Sequence, residues 1–312
     1  VFKKYWADSW GPRLEHILRN AILAVAPDPR ATLLFLYRFL TDERLREQVT
    51  ERLTDPVVRQ FWTREFPGYG KKLQSEAVAP ALNKLGAFTA HPIVRNIIGQ
   101  ERSRLDLIRL MNERGILLAN LATGQIGEDA SHLLGGLLLT ALQLSAMERA
   151  RGGAPCYVYV DEFQHFVTDS LATLLSESRK FGLGLILAHQ YLAQLTDSVR
   201  DAVLGNVGSM MVFRIGAKDA EELESEFAPP FTASDLTSLP RYHAAVKLIA
   251  RGEALAPFSA RTVPPSSIPT EATETVSLLR ESSRRRFCNE QSAVESHIHT
   301  VMGIPSDRSR SR

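Results

Sequence analysis

Beyond Gly115 the sequence changes period, and that change limits the fold more than any other feature. Short apolar runs alternate there with stretches of helical spacing. GILLANL is the first run, CYVYV the second, LGLILAH the third, SMMVFRIG the fourth and YHAAVKLIA the last. Helical stretches fall between them, from about Glu128 to Arg151, Asp169 to Phe181, Ser198 to Leu204 and Lys218 to Phe227, with Ala217 before the last. Runs that are apolar throughout suit strands covered on both faces, as in parallel sheets. Strand and helix alternating through short links argue an α/β domain with a mainly parallel sheet.

Before the change, residues 11 to about 112 read as helical. PRLEHILRNAILAVA repeats apolar residues at three and four, and ATLLFLYRFLTDERLREQVTERL does the same. TDPVVRQFWTREF opens with Thr54 or Asp55 as an N-cap and Pro56 at the first helical position. Trp62 and Phe66 stand four apart, so they share a face and belong to the helix core.

After about Pro264 the composition turns to Pro, Ser, Thr and Arg, as in a linker. A short amphipathic helix follows around Ala293 to Met302. The chain therefore divides into a helical segment (1–112), an α/β segment (113–262) and a linker with a helical tail (263–312). Arg284, Arg285 and Arg286 and the closing SDRSRSR concentrate basic charge at the end, as in a DNA-binding or a solvated tail.

The chain has 312 residues and is 44% apolar, enough for a substantial core. Its net charge of +2 is too close to neutral for composition alone to indicate nucleic acid. Cys156 and Cys288 suit a reducing compartment and form no metal-binding spacing. No stretch reads as a membrane span. The nearest, LLGGLLLTALQLSAM at 133–147, is shorter than the roughly 20 apolar residues required. No signal peptide is visible, and Val1 to Trp10 reads as the interior of a longer protein.

CYVYV runs straight into Asp161-Glu162. Ligands of parallel sheets collect at the carboxyl ends of strands. A carboxylate there can hold Mg2+, usually through water, and a second one residue later can polarise the water that attacks a γ-phosphate. YVYVDE is thus the Walker B pattern of P-loop NTPases. Asp-Glu also suits a helix N-cap with a first-turn acid. The next strand ends in His189-Gln190, where an amide can touch the γ-phosphate or the attacking water, or simply bond a loop. Arg179 ends the intervening helix, placed either to complement that helix terminus or to act on a neighbour's nucleotide. Asn206 opens the strand in GNVGSMMVFRIG in a structural role.

Together these segments carry a resemblance. LANLATGQIGEDASHLLGGLLL, YVYVDEFQHFVTDSLATLLSESRKFGLGLILAHQYLAQL, VRDAVLGNVGSMMVFRIGAKDAEELESEF and FTASDLTSLPRYHAAVKL occur in that order. The run from Gly68 to Ala260 resembles the C-terminal half of the motor domain of conjugative coupling ATPases, the TraG/TraD type of the FtsK/HerA group. Trp10 to Phe66 resembles part of the all-α insertion of such proteins, and SSRRRFCNEQSAVESHI a tail motif found in some of them.

The resemblance implies a RecA-like P-loop NTPase core with an N-terminal all-α insertion segment, assembled as a homo-hexamer that moves DNA without sequence preference. It implies ATP and Mg2+ as cofactors, with Asp161 the magnesium acid, Glu162 the catalytic glutamate, Gln190 the sensor that also touches nucleotide, and Arg179 a finger acting across a subunit boundary. Candidate partners are a relaxase and type IV secretion channel components. The implied location is the cytoplasm, at the inner face of the bacterial plasma membrane through a region upstream of Val1. Members often carry a lysine in the loop matched by Ala119 to Glu128, where this chain has Thr123.

The sequence departs from the family in having no GxxxxGK followed by Ser or Thr. GYGKK at residues 68–72 lacks the upstream glycine, the following hydroxyl residue and a preceding strand. In the family that loop precedes the helical insertion, so the expectation is a chain that starts beyond it. Two other readings fit the residues: a HerA-like motor for DNA-end processing, and a non-hydrolysing docking subunit that keeps the fold.

Overall fold

A computed structural model describes residues 2–6, 9–149, 153–166, 175–265 and 272–304. The chain forms two compact units. One comprises residues 1–106, 117–135 and 274–312, the other residues 107–116 and 136–273.

The first unit is helical. Pro12–Val25 buries Leu14, Ile17, Leu18 and Ala21, the three-and-four spacing of its sequence. The next periodic stretch is two helices rather than one, Leu33–Thr41 and Glu43–Glu51. Asp42 divides them. Its backbone is extended, and its carboxylate accepts from the Leu45 amide as the N-cap of the second helix. Asp55 caps Pro56–Gln60 by accepting from the amides of Val57 and Val58. Trp62 and Phe66 lie in the core, ring centroids 4.9 Å apart, and the Trp62 indole donates to the Asn20 carbonyl at 3.2 Å. GYGKK overlaps the helical turn Phe66–Gly68 and the start of the helix Gly70–Thr89, with no strand before it.

The C-terminal helix Gln291–Met302 belongs to this core through Val294, Ile298 and Val301. Arg38 donates to the Val301 carbonyl at 2.8 Å while pairing with Asp42. Gly303 ends the helix at φ 70, a left-handed conformation that glycine adopts without strain. A second tail helix, Ala272–Phe287, replaces part of the expected linker and carries Arg284, Arg285 and Arg286 in its last turn.

The second unit holds the longer strands. β1 (Cys156–Val160) pairs with β2 (Leu183–Leu187) in parallel, Cys156 opposite Leu183 and Val160 opposite Leu187. Cys156, Val158 and Val160 turn toward the core, and Val160 is buried in it. Tyr157 and Tyr159 face out, 64% and 75% exposed. CYVYV is therefore covered on one face, not two, because its alternate residues point to opposite sides.

The remaining strands correct the expectation of a mainly parallel sheet. β3 (Met210–Val212), β4 (His243–Lys247) and β7 (Phe258–Arg261) form an antiparallel sheet in the order β3-β4-β7. YHAAVKLIA is not the last strand. It continues through β5 (Ile249–Ala250) into β6 (Glu253–Ala254) by the two-residue turn Arg251-Gly252. Both turn residues have positive φ, 53° and 87°, which matches the twist of a hairpin and returns the chain antiparallel. Among the described residues the only parallel pair is β1 with β2.

GILLANL is not a strand. Residues 115–122 form no ladder, and Ile116 and Leu118 are each 86% exposed. An apolar run becomes a strand only when another strand accepts its hydrogen bonds. Asn206 closes the helix Asp197–Asn206 instead of opening a strand, its side chain donating to the Ala202 carbonyl at 2.8 Å. The helix Glu128–Glu148 has 21 residues and is, by length and composition, long and apolar enough to cross a membrane. That exceeds the shorter 133–147 stretch visible in the sequence. Residues 169–174 of the expected 169–181 helix lie outside the described residues; 175–177 are helical, and Gly182 ends the segment at φ 66.

Candidate functional site

The parallel register of β1 and β2 sets two strand ends side by side, Val160 opposite Leu187. Hydrogen bonding continues past both ends. The Ala188 amide donates to the Val160 carbonyl at 3.0 Å, and the Phe163 amide donates to the Ala188 carbonyl at 3.1 Å. Asp161 and Glu162 lie between these two bonds, at the carboxyl edge of the pair.

Glu162 has φ 48 and ψ 47, a left-handed conformation that costs an L residue roughly 1–2 kcal/mol. Its amide donates to Asp161 Oδ1 at 3.0 Å. The Phe163 side chain that follows is fully buried and holds the turn from below.

Both oxygens of the Glu162 carboxylate are engaged. Gln164 Nε2 donates to Oε2 at 2.6 Å, and Gln190 Nε2 donates to Oε1 at 2.6 Å. The bond from Gln164 is the largest influence holding the Glu162 carboxyl below the usual glutamate range. The bond from Gln190 adds to it, and His165 and His189 contribute favourable charge. Glu162 is thus an ionised, oriented carboxylate.

Asp161 is solvent-exposed at the end of β1. A single hard carboxylate fits Mg2+ held largely by water. Among the described residues no cluster of three or more His, Cys, Asp or Glu side chains forms a protein cage for a metal. The donor set therefore suits one carboxylate on a hydrated ion whose other ligands include substrate oxygens.

Of the residues singled out from sequence, Asp161, Glu162 and Gln190 meet in one place. Arg179 has its backbone in the 3-10 turn Ser178–Phe181, before β2, and its side chain lies outside the described residues. Thr123 begins a short helix, Thr123–Ile126, in the other unit.

Sequence reasoning missed Gln164. Two residues from Glu162, it would point away in a regular helix, which is how the segment after CYVYV reads; the left-handed turn at Glu162 brings it onto the carboxylate instead. His189 was passed over as well. Its ring meets the Phe163 ring edge-on, centroids 5.1 Å apart, and its Nδ1 is buried with no hydrogen-bond partner.

No protein-family model matches the chain, and no curated protein matches it in sequence. Solved structures do match in fold. The bacterial conjugative coupling protein TrwBdeltaN70, in its unbound form, aligns with a TM-score of 0.53 at 15% identity, covering 80% of this chain and 68% of that one. Plasmid coupling protein TrwB in complex with ADP and Mg2+ aligns with a TM-score of 0.52 at 13% identity, covering 82% and 70%. The same protein with the non-hydrolysable GTP analogue GDPNP gives 0.50 at 14% identity, covering 80% and 68%. At these identities the likeness is one of fold.

Proposed function

We propose that this chain, with a fold shared by conjugative coupling proteins, is part of an ATP-driven DNA-translocating motor of a conjugative or type IV secretion-like system. The observation that carries the reading is the Glu162 carboxylate at the end of β1, bonded to Gln190 from the end of β2. A structural N-cap would spend its carboxylate on helix amides; Glu162 spends both oxygens on side-chain amides and is only half-buried.

In this reading Asp161 would hold Mg2+, which would supply charge neutralisation at the phosphates. Glu162 orients a water and accepts its proton as the water oxygen bonds to the γ-phosphorus and the bond to the β-phosphate oxygen breaks. Gln190, hydrogen-bonded to that carboxylate, senses whether the γ-phosphate is present. Arg179 serves a neighbouring subunit in a homo-hexameric ring. DNA phosphates bind with strong salt dependence and little sequence preference. Relaxase and secretion-channel components are the proposed protein partners, at the inner face of the plasma membrane.

The 312 residues contain no glycine-rich phosphate loop with its lysine. A second reading is a non-hydrolysing docking subunit that keeps the fold. A HerA-like processing motor would share the chemistry and differ in pathway.

The test is duplex-stimulated ATP hydrolysis by the ATPase that contains this chain, wild type against Glu162→Gln. The motor reading expects retained nucleotide binding and ring assembly with turnover reduced at least ~10²-fold. Full activity in Glu162→Gln would remove its assigned role, and absence of hydrolysis in the wild type would leave the docking reading.

A further inference from the structure

The tail contains two helices of contrasting environment. Gln291–Met302 buries Val294, Ile298 and Val301 in the helical unit. Ala272–Phe287 buries no residue at all. A 16-residue helix with no buried residue is marginal in water, since helices in proteins draw most of their stability from an apolar face against a partner.

Such a face exists on it. Ala272, Val276, Leu279, Ser283 and Phe287 recur at spacings of three and four and share one stripe. Val276 and Leu279 are 44% and 61% exposed. By helical geometry Arg280 and Arg284 border one side of the stripe and Arg286 the other, its guanidinium 5.3 Å from the Phe287 ring centroid. Glu274 and Glu281 lie on the opposite face, where Arg285 pairs with Glu281 at 3.8 Å. Leu278 also lies on that face, outside the stripe. The C-terminal end of the helix is anchored: Arg104 donates to the Cys288 carbonyl, and Asn289 donates to Gln100 at 2.9 Å.

We propose that Ala272–Phe287 is an interfacial helix that docks on an anionic lipid surface, its Val276–Leu279–Phe287 stripe in the acyl boundary and Arg280, Arg284 and Arg286 on lipid phosphates. An apolar stripe bordered by arginines complements a surface with negative charge outside and hydrocarbon beneath. Nucleic acid offers the phosphates but no apolar layer for Val276 and Leu279. The inference is independent of nucleotide chemistry and goes beyond the motor reading.

The test uses the purified 312-residue chain and vesicles of phosphatidylcholine with about one-third phosphatidylglycerol, against pure phosphatidylcholine. Cosedimentation with the anionic vesicles is expected, weakening as salt rises. Val276→Asp with Leu279→Asp should lower that binding at least ~10-fold, as should Arg284→Glu with Arg286→Glu. A separate Leu279→Trp variant should gain a blue-shifted emission component on adding anionic vesicles. Failure to bind anionic vesicles, unchanged binding in the aspartate pair, or no spectral shift in Leu279→Trp would each overturn the proposal. Tighter binding to duplex DNA than to vesicles, insensitive to the aspartate pair, would assign the arginines to nucleic acid and overturn it as well.

Discussion

Gln190 Nε2 donates to Glu162 Oε1 at 2.6 Å, from the end of β2 to the end of β1. Twenty-eight residues separate the two in sequence. The parallel register of the two strands is what joins them, and with Gln164 on the other oxygen the carboxylate is held by two amides.

This clamp predicts a pH signature. With its folded pKa depressed, Glu162 stays ionised to lower pH than an ordinary glutamate. The stability it lends is present above the unfolded value and is lost as pH falls through the lower folded one. Gln164→Ala should raise the titration midpoint toward the ordinary glutamate range, and Gln190→Ala should raise it by less. A side-chain carboxyl NMR titration of the chain reads both. A midpoint unmoved by Gln164→Ala would show that its hydrogen bond does not hold the carboxylate.

The purified chain should bind ATP weakly and hydrolyse almost none of it. Without a lysine and its nest of backbone amides, the phosphates lose their main cradle. Isothermal calorimetry with ATP and Mg2+ measures the first statement and phosphate release the second. Clear turnover by these 312 residues would contradict it.

The role proposed for Arg179 is to act on a neighbour's nucleotide. In the assembled ATPase, Arg179→Ala should abolish turnover in uniform rings and be rescued in mixed rings by subunits that supply the arginine. Phosphate release across mixing ratios tests this. Absence of rescue at every ratio would return Arg179 to a role at the end of its own helical segment.

Trp62 anchors the helical unit against Phe39, Phe61 and Phe66 and donates to the Asn20 carbonyl. Trp62→Ala should destabilise the unit by about 3–5 kcal/mol. Urea unfolding followed by circular dichroism gives the value. A loss below about 1 kcal/mol would mean that the surrounding rings collapse into the space.

Local chemistry determined much of this protein from sequence. Leu14, Ile17, Leu18 and Ala21 mark a helix face by spacing alone, and Asp55 before Pro56 marks a helix start, because both signals act within one turn. The placement of Asp161 and Glu162 after CYVYV, and of Gln190 after LGLILAH, was legible for the same reason: strand ends are local. What depended on distant partners was not. GILLANL has the composition of a strand yet pairs with none among the described residues, and YHAAVKLIA turns back through Arg251-Gly252 into an antiparallel hairpin. Tertiary structure alone decided that Glu162 would turn left-handed, that Gln164 would close on it, and that Val294 and Ile298 would join a core built more than 200 residues earlier. Periodicity reports which face of an element is apolar; only the folded chain decides which surface, or which hydrogen-bond donor, that element meets.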